Sequence, residues 1–282
     1  MLTVTTIAGV RARREEVGRT GVRIAFVPTM GALHDGHLAL VRRGREIADE
    51  VWASVFVNPA QFAPGEDFAR YPRDLEGDRE MLAAAGASVL FAPATKEIFP
   101  RPPATVIDLP ALTGGLCGAQ RPGHFRGVAL VVAKLLNIVQ PHVAVFGAKD
   151  WQQGAVIRRM VADLDMPVRI EVHPTVREDD GLARSSRNAY LDVDQRRAAV
   201  VLHRALQRGA GAAAAGERRG AALEALLADE VSGEPLARLE YAAAVDPDTL
   251  QPLENVRGRL LLALAVRVGA TRLIDNLLVE VS

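Results

Sequence analysis

Two histidines three positions apart are the first candidates for a chemical role. His34 and His37 flank Gly36 in the run PTMGALHDGH at 28–37. Each imidazole can donate a hydrogen bond to a phosphate oxygen, and the glycine lets a ligand approach the backbone closely. The spacing therefore favours a site for a phosphate-rich ligand. The alternative is an ordinary turn with solvated histidines, in which Asp35 caps the following helix.

A predicted strand, turn and helix position the two histidines. The apolar run 24–27 predicts a buried strand, and apolar residues at helical spacing from 40 to 48 predict a helix. Such a turn points free backbone N–H groups and the positive end of the helix dipole at a ligand, so we expect an anion site there. A zinc site is disfavoured, because the chain has one cysteine and no second histidine and carboxylate cluster at ligand spacing.

The strand–turn–helix pattern recurs around Lys149. The apolar run 143–146 predicts a strand, and Gly147 and Lys149 lie in the turn that follows it. The ammonium group of Lys149 can meet a phosphate at the end of a parallel strand. The alternative is an ordinary solvated lysine. The sequence contains neither a P-loop nor a dinucleotide-binding fingerprint.

Asn58 and Gln61 follow a continuous apolar run at 51–57, which predicts a strand buried on both faces of a parallel sheet. Polar residues just beyond the carboxyl end of such a strand lie where open α/β sheets bind ligands. We therefore predict that both residues bind substrate. Turn chemistry before Pro59 is the alternative for Asn58, and a solvated loop position is the alternative for Gln61.

The rest of the chain predicts two domains. Runs at 88–91 and 168–172 predict further strands, 105–109 predicts an edge strand, and the segment 113–127 is a candidate lid. From about residue 189 the chain predicts alanine-rich helices at 193–209 and 217–232, followed by three short strands. The predicted fold is α/β: a Rossmann-like parallel-sheet domain over residues 1–177, and a smaller α+β closing domain over residues 178–282.

Composition limits the cellular setting. The 282 residues include 34 Lys and Arg against 34 Asp and Glu, so nothing predicts a nucleic-acid or membrane partner. The single cysteine, Cys117, excludes an intrachain disulfide and suits a reducing cytoplasm. No apolar run reaches the length of a membrane span. We therefore expect a cytoplasmic protein.

Six motifs together resemble the pantothenate synthetase (pantoate–β-alanine ligase) family, within the adenylyltransferase and class I aminoacyl-tRNA synthetase superfamily. They are PTMGALHDGH at 28–37, FVNPAQF at 56–62, YPRDL at 71–75, RPGHFRGV at 121–128, FGAKDWQQ at 146–153 and DGLARSSRNAYL at 180–191. Their order and spacing match over nearly the whole chain. The resemblance implies that the first domain binds ATP and pantoate, which form pantoyl adenylate and pyrophosphate with Mg²⁺. β-Alanine then releases AMP and pantothenate. A homodimer is also implied.

The resemblance also implies roles for individual residues. His34 and His37 contact the ATP phosphates, His37 is the proton donor, and Lys149 reaches a phosphate. Gln61 holds pantoate and faces β-alanine, and Gln153 holds pantoate. The implied ATP-binding residues are Met30, Gly31, Ala32, Leu33, His34, Asp35, Gly36, His37, Gly147, Ala148, Lys149, Asp150, Val176, Arg184, Ser185, Ser186 and Arg187.

Two positions depart from the family pattern. Ala148 stands where glutamate is frequent, and Arg184 stands where an apolar residue is usual; neither replaces a reacting group. The acidic run that follows YPR is interrupted by Gly77 and leaves Asp78, so the sequence does not assign the metal ligands. Two other functions compete with the ligase: a nucleotidylyltransferase that keeps the nucleotide on its product, and a nucleotide-binding protein without catalysis. Gln61 and Gln153 favour the ligase over the first. The second is disfavoured by the intact His34, His37, Lys149 and Ser185-Ser186-Arg187.

Overall fold

The computed structural model describes residues 1–281, without the side chain of Asp67. These residues form two compact units, and each is assembled from separate stretches of chain. The first unit contains Met1–Leu109, Arg121–Ala148 and Val156–Pro174. The second contains Pro110–Gln120, Lys149–Ala155 and the chain from Thr175 onward. The domain boundary after residue 177 stays a prediction.

A six-stranded parallel sheet forms the centre of the first unit. Its spatial order is β1-β4-β3-β2-β5-β6, and every pairing is parallel, which confirms the predicted Rossmann-like sheet. The strands are β1 (Leu2–Val4), β2 (Ile24–Thr29), β3 (Glu50–Val55), β4 (Val89–Phe91), β5 (Val143–Gly147) and β6 (Arg169–His173). Because Thr29 pairs with Val55, β2 and β3 end at the same edge. The turns that follow both strands therefore start side by side.

Helices flank the sheet and build the second unit. Their ranges are α1 (Ile7–Gly18), α2 (Asp35–Ile47), α3 (Leu75–Ala85), α4 (Thr95–Ile98), α5 (Pro110–Thr113), α6 (Leu116–Gln120), α7 (His124–Val139), α8 (Trp151–Asp163), α9 (Val193–Ala198), α10 (Val201–Ala214) and α11 (Gly220–Ser232). In the first unit, Val41 of α2 and Leu82 of α3 pack with Ala25 and Val27 of β2. This contact fixes α2, and with it the turn that carries the histidines. Among the described residues, no helix is long and apolar enough to cross a membrane.

The second unit contains an antiparallel sheet of β7 (Ala237–Val245), β8 (Gly258–Val268) and β9 (Thr271–Val281), in that order. Leu206 of α10 and Leu227 of α11 pack in one apolar cluster with Leu260 and Leu262 of β8. The predicted small α+β domain is thereby confirmed. The predicted helix at 193–209 is two helices, because the chain turns at Ala199 between α9 and α10.

Two further predictions about the fold of the first 127 residues require correction. The predicted edge strand at 105–109 is wrong, since the segment forms no strand and Val106 is 66% exposed. A run with strand propensity does not become a strand without a partner to pair with. The candidate lid at 113–127 is also not one piece: α6 occupies part of it, and His124 starts the long helix α7. Only 113–120 stays a candidate lid.

Candidate active site

The turn between β2 and α2 has an unusual backbone conformation. Gly31 has φ of 82° and Ala32 has φ of 51°, so two consecutive residues adopt the left-handed region. A Cβ on Gly31 would lie 2.6 Å from Oδ2 of Asp78. Glycine is therefore required at this position both for its dihedral angle and for the close approach of a carboxylate.

Asp78 of α3 accepts hydrogen bonds from two of the backbone N–H groups that were expected to face a ligand. Ala32 N donates to Oδ2 at 3.1 Å, and Leu33 N donates to Oδ1 at 2.8 Å. The side chain is 3% exposed, and this burial raises the pKa of Asp78 although the two hydrogen bonds lower it. The prediction of free N–H groups is wrong for these two. A third, on Gly31, donates to the Thr29 hydroxyl.

The two histidines lie together at the start of α2. Their ring centroids are 4.1 Å apart. Gly36 N donates to Nδ1 of His34 at 3.2 Å, and His34 N donates to Nδ1 of His37 at 3.4 Å. His34, not Asp35, is therefore the N-cap of the helix. Because both Nδ1 atoms accept, these hydrogen bonds assign the protons of the neutral rings to Nε2. In this tautomer each ring has an Nε2–H donor suited to a phosphate oxygen.

Asn58 supports Gln61 at the end of β3. Asn58 is 1% exposed, and its Nδ2 donates to Gln61 Oε1 at 2.9 Å and to Gly127 O at 3.1 Å. Its Oδ1 accepts from Ala60 N at 3.2 Å. The Nε2 of Gln61 contacts Met30 Sδ at 3.0 Å. The amide of Gln61 therefore lies against the turn that carries the histidines, while the substrate-binding roles of Asn58 and Gln61 stay predictions.

In the second unit, the Lys149 turn is tied to the C-terminal sheet. Asn276 Nδ2 donates to the carbonyl oxygen of Lys149 at 2.7 Å. The neighbouring Asp275 is 3% exposed and accepts from both terminal nitrogens of Arg177, at 2.6 and 3.0 Å. Arg177 also donates to Gly181 O at 3.0 Å. One network therefore fixes the backbone of Lys149 and the start of the segment that contains Ser185–Arg187.

That segment also has internal order. Arg184 N donates to Val176 O at 2.9 Å, which brings two predicted ATP-binding residues together. Ser185 caps the short 3-10 helix Ser186–Tyr190, since its Oγ accepts from Arg187 N at 3.3 Å. A hydroxyl that accepts one hydrogen bond still has its proton to donate. Ser185 can therefore hold this turn and bind an anion at once.

The structure distinguishes the two adjacent glutamines at the start of α8. Gln152 is 6% exposed, and its Nε2 donates to the carbonyl oxygens of Leu112 and Gly115, each at 2.9 Å. Gln153, the predicted pantoate ligand, is only half-buried. Gln152 therefore anchors the α5–α6 segment, and Gln153 is the more exposed residue of the pair.

The predicted site residues are distributed over both compact units. The first unit holds Met30, Gly31, Ala32, Leu33, His34, Asp35, Gly36, His37, Asn58, Gln61, Gly147 and Ala148. The second unit holds Lys149, Asp150, Gln153, Val176, Arg184, Ser185, Ser186 and Arg187. Within the units, the structure brings His34 to His37, Gln61 to Asn58 and Met30, and Arg184 to Val176.

Three residues of the first unit were missed as parts of the site. Asp78 binds the histidine-bearing turn, and Arg121 and His124 contact the backbone carbonyl of Gln61. No local pattern around Asp78 reveals its contact with Ala32, 46 positions away. Arg121 and His124 did carry a signal, because RPGHFRGV is one of the six motifs, but the sequence assigned them only to a lid.

A dedicated metal cage is absent from the part of the chain that the structure describes, where no three His, Cys, Asp or Glu side chains cluster as ligands. Asp78 already accepts two backbone hydrogen bonds. Mg²⁺ commonly retains waters and binds through substrate phosphates with few protein ligands. The residues present therefore fit an ion that arrives on a nucleotide, and no side chain is assigned to it.

The fold and this site together define a class. The parallel sheet is flanked by helices. At the carboxyl ends of two neighbouring strands it carries the paired imidazoles of His34 and His37 and the amide of Gln61, at the edge where such sheets bind ligands. This is the arrangement of a nucleotide-dependent α/β enzyme.

Comparisons with known proteins identify the family within that class. A family model described as pantoate-beta-alanine ligase matches residues 2–278. The pantothenate synthetase of Moorella thermoacetica is 56% identical over 277 residues, covering 98% of each chain. The crystal structure of pantothenate synthetase from Thermus thermophilus has a TM-score of 0.92 at 49% identity, covering 98% of this chain and 99% of that one.

A third comparison involves a ligand complex. The pantoate-beta-alanine ligase of Francisella tularensis, whose structure is a complex with beta-gamma ATP and beta-alanine, has a TM-score of 0.81 at 33% identity. It covers 99% of this chain, and this chain covers 97% of it. The chain therefore belongs to the pantoate–β-alanine ligase family, and it is an ATP-dependent ligase.

Proposed function

We propose that this chain condenses pantoate with β-alanine through a pantoyl-adenylate intermediate and that the residues assigned above perform both half-reactions. The observation that carries the proposal is the contact of the Gln61 amide with Met30, in the turn that presents His34 and His37. A group that can orient a small polar acid thus adjoins two donors suited to phosphate.

In the first half-reaction, a carboxylate oxygen of pantoate attacks the α-phosphorus of ATP. A new C–O–P linkage forms, the bond from the α-phosphorus to the bridging oxygen breaks, and pyrophosphate leaves. Negative charge develops on the phosphoryl oxygens and the leaving group. The Nε2–H groups of His34 and His37 stabilise that charge, with Lys149 at a phosphate. The proton-donor role that the resemblance implies for His37 is carried here by a hydrogen bond from Nε2–H to the departing oxygen, because the ring is neutral with Nδ1 accepting from His34 N. The remaining phosphate contacts come from Arg184, Ser185, Ser186 and Arg187.

Two amides hold pantoate in the attacking position. Gln61 and Gln153 can hydrogen-bond its hydroxyls and carboxylate without placing a positive charge on the nucleophile. A cationic side chain in their place would bind the acid more tightly and make its oxygen a poorer nucleophile. Neutral amides therefore orient the acid and leave its charge available for attack at phosphorus.

In the second half-reaction, the amine of β-alanine attacks the acyl carbon of the adenylate. The C–N bond forms, the C–O bond to AMP breaks, and the nitrogen loses a proton. Gln61 faces both substrates and therefore positions the amine against the acyl group. Because pantoyl adenylate is hydrolysable, the reaction requires a site that excludes water from it.

The remaining assignments complete the proposal. Gly147, Ala148, Asp150 and Val176 hold the nucleotide. Mg²⁺ would be held by the ATP phosphates, with no side chain assigned to it, and would offset their charge. The chain functions as a homodimer in the cytoplasm, a setting supported by the single cysteine and balanced charge.

The test is a product assay on purified protein with ATP, Mg²⁺ and pantoate, with and without β-alanine. We expect AMP, pyrophosphate and pantothenate in equal amounts when β-alanine is present. A nucleotide that remains attached to the product would instead identify a nucleotidylyltransferase. ATP binding by folded protein without any product would identify a non-catalytic nucleotide-binding protein.

A further inference from the structure

The backbone of Gln61 is held by a polar network that no role in the reaction accounts for. His124 Nδ1 lies 2.8 Å from the carbonyl oxygen of Gln61. On the other side of the ring, Nε2 lies 3.1 Å from NH1 of Arg121. Arg121 in turn forms an ion pair with Glu66, with Nε to Oε1 at 2.8 Å and NH2 to Oε2 at 2.5 Å. Glu66, Arg121 and His124 therefore form a continuous chain of contacts that ends at Gln61.

The chemistry of arginine determines the state of the histidine. A guanidinium group only donates hydrogen bonds, so His124 Nε2 must accept from Arg121. The proton of the neutral ring is then on Nδ1, which donates to the Gln61 carbonyl. This tautomer is opposite to that of His34 and His37, whose Nδ1 atoms accept. His124 is therefore arranged to hold a carbonyl oxygen, not to present Nε2–H to a phosphate.

Glu66 holds Arg121 in the orientation that this tautomer needs. The two side chains are about one-fifth exposed, and the contact is bidentate. Burial tends to raise the pKa of Glu66, but the hydrogen bond and charge of Arg121 outweigh it, and the pKa is lowered. The carboxylate thus stays ionised beside the guanidinium and directs its remaining N–H groups toward His124.

Close packing links this network to the side chain of Gln61. His124 and Gly127 are both in the first turns of α7, and Gly127 O accepts from Asn58, which also holds the Gln61 amide. A Cβ on Gly127 would lie 2.1 Å from Ala60 O, so α7 touches the backbone next to Gln61 directly. The start of α7 therefore fixes Gln61 at two points: its carbonyl through His124, and its amide through Asn58.

We propose that His124, held in its Nδ1–H tautomer by Arg121 and Glu66, is a positioning residue that orients Gln61 toward both pantoate and β-alanine. The inference rests on the proposed function, because it explains how Gln61, the residue that faces those two substrates, is held in place. Loss of the Nδ1–H donor leaves the Gln61 carbonyl with only the longer contact from NH2 of Arg121, at 3.5 Å. Pantoate and β-alanine, which depend on Gln61, then bind more weakly, while the affinity for ATP is unchanged.

Two amide substitutions separate this role from simple packing. Asparagine carries its amide nitrogen at about the distance of Nδ1 from the backbone, so His124→Asn can still donate to the Gln61 carbonyl. Glutamine carries its amide one carbon farther out, near the position of Nε2, so His124→Gln retains polarity and bulk but misplaces the donor. Arg126→Ala is the matched control on the same helix, because Arg126 is exposed and its ion pair with Asp108 lies outside the network.

The experiment measures KM for each of the three substrates, kcat and the thermal midpoint for the wild type and these variants. We expect His124→Gln to raise KM for pantoate and β-alanine about tenfold, the scale of one lost hydrogen bond, and KM for ATP less than about twofold. His124→Asn recovers most of the loss, and Arg126→Ala matches the wild type.

Equal KM values for His124→Gln and the wild type overturn the inference. So does a parallel rise in all three KM values in both amide variants together with a lower thermal midpoint, because that pattern indicates a structural role. A wild-type protein that makes no pantothenate overturns the proposed function instead, and it does so before any variant is compared.

Discussion

Gly127 is the position where one added methyl group tests the packing that supports Gln61. A Cβ at this residue would lie 2.1 Å from Ala60 O and 2.7 Å from Gln61 N. Carbon and backbone atoms do not approach so closely, so Gly127→Ala must separate α7 from the 3-10 helix Pro59–Gln61 by about 1 Å. That shift also stretches the hydrogen bond from Asn58 to Gly127 O, now 3.1 Å long.

The expected magnitudes follow from that displacement. Overpacking of a well-packed contact lowers the free energy of unfolding by about 1–3 kcal/mol. A misplacement of about 1 Å in a substrate-positioning group can lower catalytic efficiency on the order of 10²-fold. The loss should appear in kcat/KM for pantoate and β-alanine, because Gln61 faces both, and much less in the affinity for ATP.

The assay is steady-state AMP release with each substrate varied, combined with urea unfolding. Gly211→Ala is the control, since this exposed glycine of α10 has open space where its Cβ would be. Its substitution should raise stability by up to about 1 kcal/mol, as expected for Gly to Ala within a helix, without changing any KM. A Gly127→Ala protein with wild-type stability and wild-type kcat/KM would refute the packing argument.

Four further substitutions test the site. His37→Ala should keep the fold and lower kcat by about 10²–10³-fold, the scale for one preorganised donor; near-normal turnover would contradict its phosphate role. Gln61→Ala should raise KM for pantoate more than KM for ATP, and equal increases would count against the substrate assignment. Asp78→Asn replaces one of two acceptors for the turn N–H groups with a donor, so the free energy of unfolding in urea should fall by about 1–3 kcal/mol. An unchanged urea midpoint would show that Asp78 does not support the turn. The pKa of Glu66 is lowered, so its ionised form stabilises the folded protein at pH values above 4.5, the usual pKa of the group. This stabilisation is lost as the pH falls through the lowered pKa. Glu66→Gln should therefore lose less stability than the wild type on acidification below pH 4.5, and an identical pH dependence would contradict the Arg121 ion pair.

Much of the fold was predictable because its signals are local. The continuous apolar runs at 24–27 and 143–146 mark β2 and β5, and the structure extends each to its polar turn. β1 was missed because it is only three residues long and Leu2 is half exposed, so it lacks the pattern of a buried strand. Its identity as a strand depends on pairing with β4, far along the chain. The segment 105–109 shows the reverse, strand propensity without a partner.

The site was predictable to the extent that chemistry and spacing lie within one motif. His34 and His37 are brought together as their spacing indicates, and Gln61 lies at the strand end where ligands bind. Sequence spacing does not show which polar groups of the site are already hydrogen-bonded within the protein. The N–H groups of the histidine turn are occupied by Asp78, which lies 46 positions from Ala32 and fits there only through the packing of α3 on α2.

The sequence also could not show which polar residues hold other side chains in place and which face a ligand. Asn58 and Gln61 look equivalent in the sequence, since both are neutral amides just past a strand. The structure buries both residues, with Asn58 1% and Gln61 9% exposed, and it shows that the Asn58 amide is used to hold Gln61, Gly127 and Ala60. Similarly, the hydrogen-bond partners of His124 and His34, which the sequence does not reveal, assign opposite tautomers to their rings.

The central claim is that the carboxylate of pantoate attacks the α-phosphorus of ATP, and one isotope measurement tests it directly. Pantoate labelled with oxygen-18 at both carboxylate oxygens is incubated with ATP, Mg²⁺ and β-alanine, and the products are analysed by mass spectrometry. We predict one labelled oxygen in AMP and one in the amide carbonyl of pantothenate. Unlabelled AMP, or ADP together with labelled inorganic phosphate, would contradict it, because the carboxylate would then have attacked elsewhere.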